Sequence, residues 1–211
     1  MFIGGQEIEN NSSKFFPDAL QFEPKCVREA CYDLRIGDEV FLSEQRTPLR
    51  LDEKDNPFVV LPPGQFALIK TYERVSVPND FVAFISIRST FKFQGLINIS
   101  GFHVDPTYVG HLIYAVQNVG PNDIRLRFKD RVFMIMWAKL DPPYEGGRRK
   151  EGYDRIPLEM MAQLGGPSVT LLSLQKKVDE LSTKVTIYGG FAIAAFLALL
   201  GLVLKGLFHV G

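Results

Sequence analysis

Two short polar clusters interrupt the Ile-, Val- and Phe-rich stretch from Phe81 to Gly120, and both carry side chains suited to chemistry. The first is Ile87-Arg88-Ser89-Thr90, inside FVAFISIRSTFKF. Arg88 offers a guanidinium fork, and Ser89 and Thr90 add hydroxyls and backbone N–H groups, a set that suits oxyanions such as phosphate. The second is His103-Val104-Asp105-Pro106-Thr107-Tyr108, where Asp105 is the only carboxylate between Asp80 and Asp123. Pro106 fixes the turn, and the flat ring of Tyr108 can pack on a sugar or a base. Asp105 has a second reading as a turn cap before the proline.

Strands must position these clusters. From Glu39 to Lys139 the pattern is all-β: EVFL, FVVL, QFALIKT, FVAFISI, GLINIS, HLIYAVQ, IRLRF and RVFMIMWAK are separated by Pro, Gly, Asn and Asp. Short strands at this spacing predict a barrel or jelly-roll-like sandwich, with the clusters at strand ends. Before them, the cluster Asn10 to Ser13 reads as a turn. Ile124 to Arg131 alternates, with Ile124, Leu126 and Phe128 on one face and Arg125, Arg127, Lys129 and Arg131 on the other. That basic face is either a phosphate or lipid-headgroup strip or a solvated outer face, and the second is the ordinary outcome.

Composition narrows the classes. The chain has 211 residues, 46% of them hydrophobic and 17 of them Phe, enough for a sizeable core. Its 24 basic and 24 acidic residues cancel, which argues against a nucleic-acid partner. Cys26 and Cys31 make neither a disulfide framework nor a four-ligand zinc set, and read as small buried hydrophobes of a reducing compartment. Met1 to Gln21 lacks the basic and apolar regions of a signal peptide.

Past the strands, Asp141 to Pro167 is rich in Gly, Pro and charge, and reads as a linker or as a mobile flap. Leu171, Leu174, Val178, Leu181 and Val185 then fall at intervals of 3, 4, 3 and 4, the seam of a short coiled coil. Val185 to Leu204 follows as 20 residues without a charge, about 30 Å as a helix, which matches the hydrocarbon core of a bilayer. Lys176, Lys177 and Lys184 precede this span and Lys205 alone follows it, so a tail-anchored, single-pass protein with its N-terminal domain in the cytoplasm is expected. Gly189, Gly190, Ala192, Ala194 and Ala195 would let membrane helices approach closely. The expected division is a β domain over 1–140, a flap or linker over 141–168, a coiled coil over 169–184, a transmembrane helix over 185–204 and a tail over 205–211.

IRSTF resembles the phosphate-binding GRSS motif of the dCTP deaminase/dUTPase family. GFHVDPTYVGHL is similar to that family's motif of an Asp followed three residues on by Tyr or Trp. ACYDLRIGDEV is similar to its SYDLRLG, and LPPGQFALIKTYERVSVPNDFVAFI to its PGxFxLxxTxExVxLPxD segment. The four blocks stand in the family's order and span roughly Phe2 to Tyr153. The resemblance implies a homotrimer with nucleotide sites between subunits. Asp33, Arg88, Ser89, Thr90 and Tyr108 would contact the nucleotide, and Mg²⁺ would ride on its triphosphate. In a flap, Tyr153 would be the aromatic residue and Arg148 and Arg149 would lie near phosphates.

The resemblance also carries departures. Ala115 stands where the deaminases place a proton-shuttling glutamate, Ile135 where the family has a glutamine, and Ile87 at the glycine of GRSS. A methyl group cannot relay a proton. Zinc-dependent deamination has no ligand signature here. Asp105 matches the aspartate that activates water in dUTPases. Three functions are therefore expected to compete: a membrane-anchored sensor of pyrimidine deoxynucleotides without deaminase activity, as in phage defence or stress signalling; a membrane-tethered dUTPase or dCTP deaminase; and a trimeric scaffold that binds nothing.

Overall fold

The structure is a computed structural model that describes residues 1–146, 150–165 and 171–208. Two short helices, α1 (Gly5–Asn10) and α2 (Ser12–Phe15), precede the sheet. The strands are β1 (Tyr32–Leu42), β2 (Leu49–Arg50), β3 (Phe58–Leu61), β4 (Phe66–Ser76), β5 (Phe81–Ile87), β6 (Leu96–Asn98), β7 (His103–Val104), β8 (Tyr108–Asn118), β9 (Ile124–Arg127), β10 (Arg131–Lys139) and β11 (Lys150–Glu151). A single turn of helix, α3 (Ser89–Lys92), follows β5, and α4 (Leu158–Leu164) and α5 (Leu171–Phe208) follow β11. The main sheet runs β11-β8-β4-β1-β10-β5-β7, with β2 on β1 and β6 on β8, and β3 and β9 form a separate ribbon. The expected all-β architecture with a C-terminal apolar helix is what the chain adopts.

Alternation along the long strands builds one core. On β8, Leu112, Tyr114 and Val116 point inward, where Tyr114 stacks on Phe133 of β10 at 3.9 Å between ring centres. Trp137 is fully buried against Phe15 and Phe16 of the N-terminal segment, and its Nε1 donates to Ser76 O at 3.2 Å. The register shifts between Leu34 and Arg35 on β1 and between Lys70 and Arg74 on β4. Such bulges turn side chains against the alternation. Glu73 keeps the alternation, buried on the face of Ile69, Thr71 and Val75, where it accepts from Arg35 Nε at 2.6 Å and from Arg35 N at 2.8 Å.

Four local expectations change. The described residues hold eleven strands rather than eight, because the two-residue strands β2, β7 and β11 add to the eight runs, and β1 begins at Tyr32, which places the YDL triplet within the sheet. Ser12 and Ser13 belong to α2, with only Asn11 left as the turn. The alternating run stops at Arg127, where Asp130 N donates to Arg127 O at 2.9 Å and Asp130 Oδ2 accepts from Arg127 N at 2.7 Å. That tight turn puts Lys129 at a left-handed φ of 64° and gives Arg131 to β10. Only Arg125 and Arg127 share the outer face of β9, and the Arg125 guanidinium covers the Phe58 ring at 3.7 Å. Finally, the Gly- and Pro-rich segment contains β11 and α4.

The chain divides into two compact units, Met1–Ser168 and Val169–Gly211. In the second, α5 is one unbroken helix of 38 residues, about 57 Å long. Within its stretch Leu174–Leu202 an 18-residue window reaches a mean hydropathy of 2.1, and the helix is long and apolar enough to cross a membrane. Leu174, Val178, Leu181 and Val185 are exposed along it.

Candidate functional site

The first cluster forms across three neighbouring strands. Asp33 on β1 pairs with Met134 on β10, and Met134 pairs with Ser86 on β5, so the end of β5 delivers Arg88 beside Asp33. Arg88 N donates to Val132 O at 2.9 Å, and its Nη1 donates to Arg131 O at 3.0 Å. Its Nε lies 3.4 Å from Asp33 Oδ2, and Arg28 Nη1 lies 3.7 Å from the same oxygen. Asp33 is only 2% exposed and Oδ2 has no hydrogen-bond partner. An unbonded buried acceptor is disfavoured by about 1–3 kcal/mol and tends to mark a working site rather than a structural one. Ser89 and Thr90 open α3 and are exposed next to Arg88. The arrangement presents an oriented guanidinium and two hydroxyls to solvent.

The second cluster gathers at the start of β8. Thr107 adopts φ 69°, its N–H donates to Val77 O at 2.7 Å, and Val77 N donates to Tyr108 O at 2.9 Å, which fixes the Asp105 turn. The Asp105 carboxylate accepts from Lys150 Nζ, and His103 Nε2 lies 3.4 Å from its other oxygen. Lys150 first, with His103 adding, holds the Asp105 carboxyl below its ordinary value. Tyr108 donates its hydroxyl to His111 O, and burial pushes that hydroxyl's pKa up. Tyr153 is half exposed and bridges the His111 backbone. His111 Nδ1 lies 3.0 Å from Thr71 O, and burial holds its imidazole below the usual value.

Within one chain the two clusters stay apart. β7 pairs Val104 with Ala83, at the far end of β5 from Arg88. Five residues of strand separate the two ends, roughly 16 Å. Asp33 and Arg88 therefore meet, and Asp105, Tyr108 and Tyr153 gather, but the halves do not join. Arg148 and Arg149 lie outside the described residues. Arg28, His103 and Lys150 have places that sequence reading did not assign. No local pattern marks Arg28, whereas the register of Lys150 beside Asp105 depends wholly on β11.

Ala115 points to the outer face of β8 with Ile113, under an apolar cluster of Phe41, Leu68, Ile156 and Met161. α4, which carries Met161, packs over this face. Ile135 is fully buried in the main core. Both positions are apolar in side chain and in surroundings. Among the described residues, no group of three or more His, Cys, Asp or Glu side chains is placed to hold a metal ion.

A curled, mostly antiparallel sheet with polar clusters at the two ends of one strand defines the class. The dCTP deaminase-like family model matches residues 3–140, and the chain belongs to that family. It is 30% identical over 136 residues to a dCTP deaminase of Pyrococcus abyssi, covering 61% of this chain and 85% of the relative. It is 32% identical over 122 residues to a dCTP deaminase of Thermococcus kodakarensis, covering 58% and 76%. In fold it is similar to the crystal structure of a 2′-deoxycytidine 5′-triphosphate deaminase from Agrobacterium tumefaciens. There the TM-score is 0.52 at 16% identity, and the match spans 64% of this chain but only 48% of that one.

Proposed function

We propose that this chain binds a pyrimidine deoxynucleoside triphosphate without deaminating it, and that its membrane helix is the output of that binding. The observation that carries the reading is Ala115 beneath α4, a methyl group in an apolar cluster, at the position that the family resemblance aligns with the deaminases' proton relay. Arg88, oriented by Asp33, would take the phosphates with Ser89 and Thr90, and Tyr108 would pack on the sugar. Mg²⁺ in this reading travels on the ligand's phosphates. The separation of the two clusters supports a site completed by a second copy, with Arg88 from one chain and Asp105 from another. A three-fold head would gather three copies of α5, and the seam at Leu174, Val178 and Leu181 gives them a surface on which to pair. A ligand that binds two arrangements of the heads unequally by about 1–3 kcal/mol would shift the spans with them. Such a device suits a nucleotide alarm, as in defence against phage.

The test is dye release from liposomes carrying the full chain, with and without dCTP, dUTP and dTTP, alongside assays for ammonia and pyrophosphate. Nucleotide-dependent release without ammonia is expected. A second reading is favoured by Asp105, a carboxylate kept ionised on an accessible turn. In it the protein is a membrane-tethered dUTPase. Pyrophosphate release from dUTP that is lost in Asp105→Asn, with no dye release, would select that reading.

A further inference from the structure

Residues 150–156 do not hang free beside Asp105. β11 joins the edge of β8 in parallel, Lys150 opposite Tyr108 and Glu151 opposite Val109. Lys150 N donates to Thr107 O at 3.1 Å and Gly152 N to Val109 O at 2.8 Å. The approach is this close because both facing residues are glycine: a Cβ on Gly152 would stand 2.4 Å from the Tyr108 hydroxyl and 2.7 Å from Gly110 Cα, and one on Gly110 would stand 2.4 Å from Gly152 Cα. Farther along, Asp154 O accepts from the buried Lys70 Nζ at 3.0 Å, and the Asp154 carboxylate pairs with Arg74 at 3.2 Å. Ile156 N donates to Glu39 Oε2 at 3.1 Å, and the Ile156 side chain is buried with Phe41 and Leu68.

We propose that residues 150–156 form a displaceable strap that competes with the nucleotide at Asp105. In the free chain the Lys150 ammonium fills the acceptor that a ligand hydroxyl or a phosphate-borne cation would use. The inference rests on the nucleotide-site reading and adds its regulation. The two ends of the strap are held unequally. Lys150 is fixed by an exposed ion pair and a two-residue ladder, Ile156 by burial, so displacement starts at Lys150 and runs toward α4. α4 is the element that covers Ala115, and the chain continues from it into α5. Occupancy of the Asp105 turn is thereby tied to the docking of α4 over Ala115.

The test uses the full chain in detergent and two measurements: hydrogen exchange at the amides of Lys150, Gly152 and Ile156, and titration with dUTP, dCTP and dTTP. Gly110→Ala keeps the lysine but blocks docking, because its Cβ would meet the Gly152 backbone and not Tyr108. It should speed exchange at residue 152 without ligand and tighten nucleotide binding about tenfold. Lys150→Met should tighten binding about two- to fivefold, and Lys150→Arg should match the wild type. In the wild type, saturating nucleotide should speed exchange at 150 and 152 while that at 156 responds less. Weaker binding by Lys150→Met would overturn the proposal and make Lys150 a ligand contact. Slower exchange with nucleotide would overturn it by showing a clamp. Binding that neither variant alters would overturn the strap alone. No binding by any of the four proteins would overturn the nucleotide-site reading and the competition with it, and the exchange of ligand-free Gly110→Ala would still report the docking.

Discussion

Asp33 lies within a sheet with 2% of its side chain exposed and one oxygen unbonded, while Asp105 stands on a turn, 46% exposed, with each oxygen facing a basic side chain. The surroundings of Asp33 come from β1, β10 and β5, elements that cannot move without unmaking the core. Those of Asp105 come from an edge strand and a long, flexible lysine. The same side chain therefore orients a guanidinium rigidly at one end of β5 and holds a replaceable partner at the other. The phosphate end of the proposed site is built in advance and the turn end is open to exchange, a division that suits recognition followed by response.

The strongest way to break this comparison is Arg88→Ala. Loss of a charge-assisted contact to phosphate should weaken nucleotide binding about 10- to 100-fold in calorimetric titration. An unchanged affinity would mean that the Asp33 end is structural only. Comparable in size is a pH effect from a third carboxylate. Burial pushes the Glu73 carboxyl up to about 7 against the pull of Arg35. Its proton is held longer in the folded chain than in the unfolded one, so stability should be greatest below about pH 4.5 and fall by about 3 kcal/mol as pH rises to 7. Glu73→Gln should flatten that slope in unfolding followed through Trp137, the chain's single tryptophan. A slope that persists would assign it elsewhere.

Smaller again is Ala115→Glu, which places a carboxylate under α4. It should cost about 2 kcal/mol, lower the melting temperature by roughly 4–8 °C and restore no ammonia release from dCTP. Ammonia release by this variant would show that only the missing glutamate separates the chain from its deaminase relatives. The least effect belongs to Asp105→Asn. Lys150 lowers the folded pKa of Asp105, so the pair stabilises the chain above about pH 4 and that contribution disappears as pH falls through the folded value. For so exposed a pair the change should stay below about 1 kcal/mol in acid unfolding. A larger loss would make the turn as built-in as Asp33.

Both clusters were legible in the sequence because Arg88 and Asp105 interrupt apolar runs beside turn-forming residues, and chains of that pattern end strands there. The apolar character of Ala115 and Ile135 could also be read directly. What covers Ala115 could not, since LEMMAQL carries no mark of the face it will meet. Their charges hid Glu73 and Lys70, which read as solvent-facing in QFALIKTYERV although both are buried, Glu73 against Arg35 and Lys70 beneath Asp154. Lys150 was obscured by a run of Gly, Arg and Lys that looks like a linker until its register against Tyr108 is known.

Gly110 and Gly152 share a single volume of space, each excluding a side chain on the other. For a sequence drifting over generations this makes them one heritable unit instead of two. A methyl gained at either position undoes the same contact, and no compensating change at the other can restore it, because nothing smaller than hydrogen is available. Ion pairs such as Asp105 with Lys150 can be exchanged for others of the same charge and leave little trace. The glycine pair admits no synonyms, so it is where a lineage would record whether the strap is still in use.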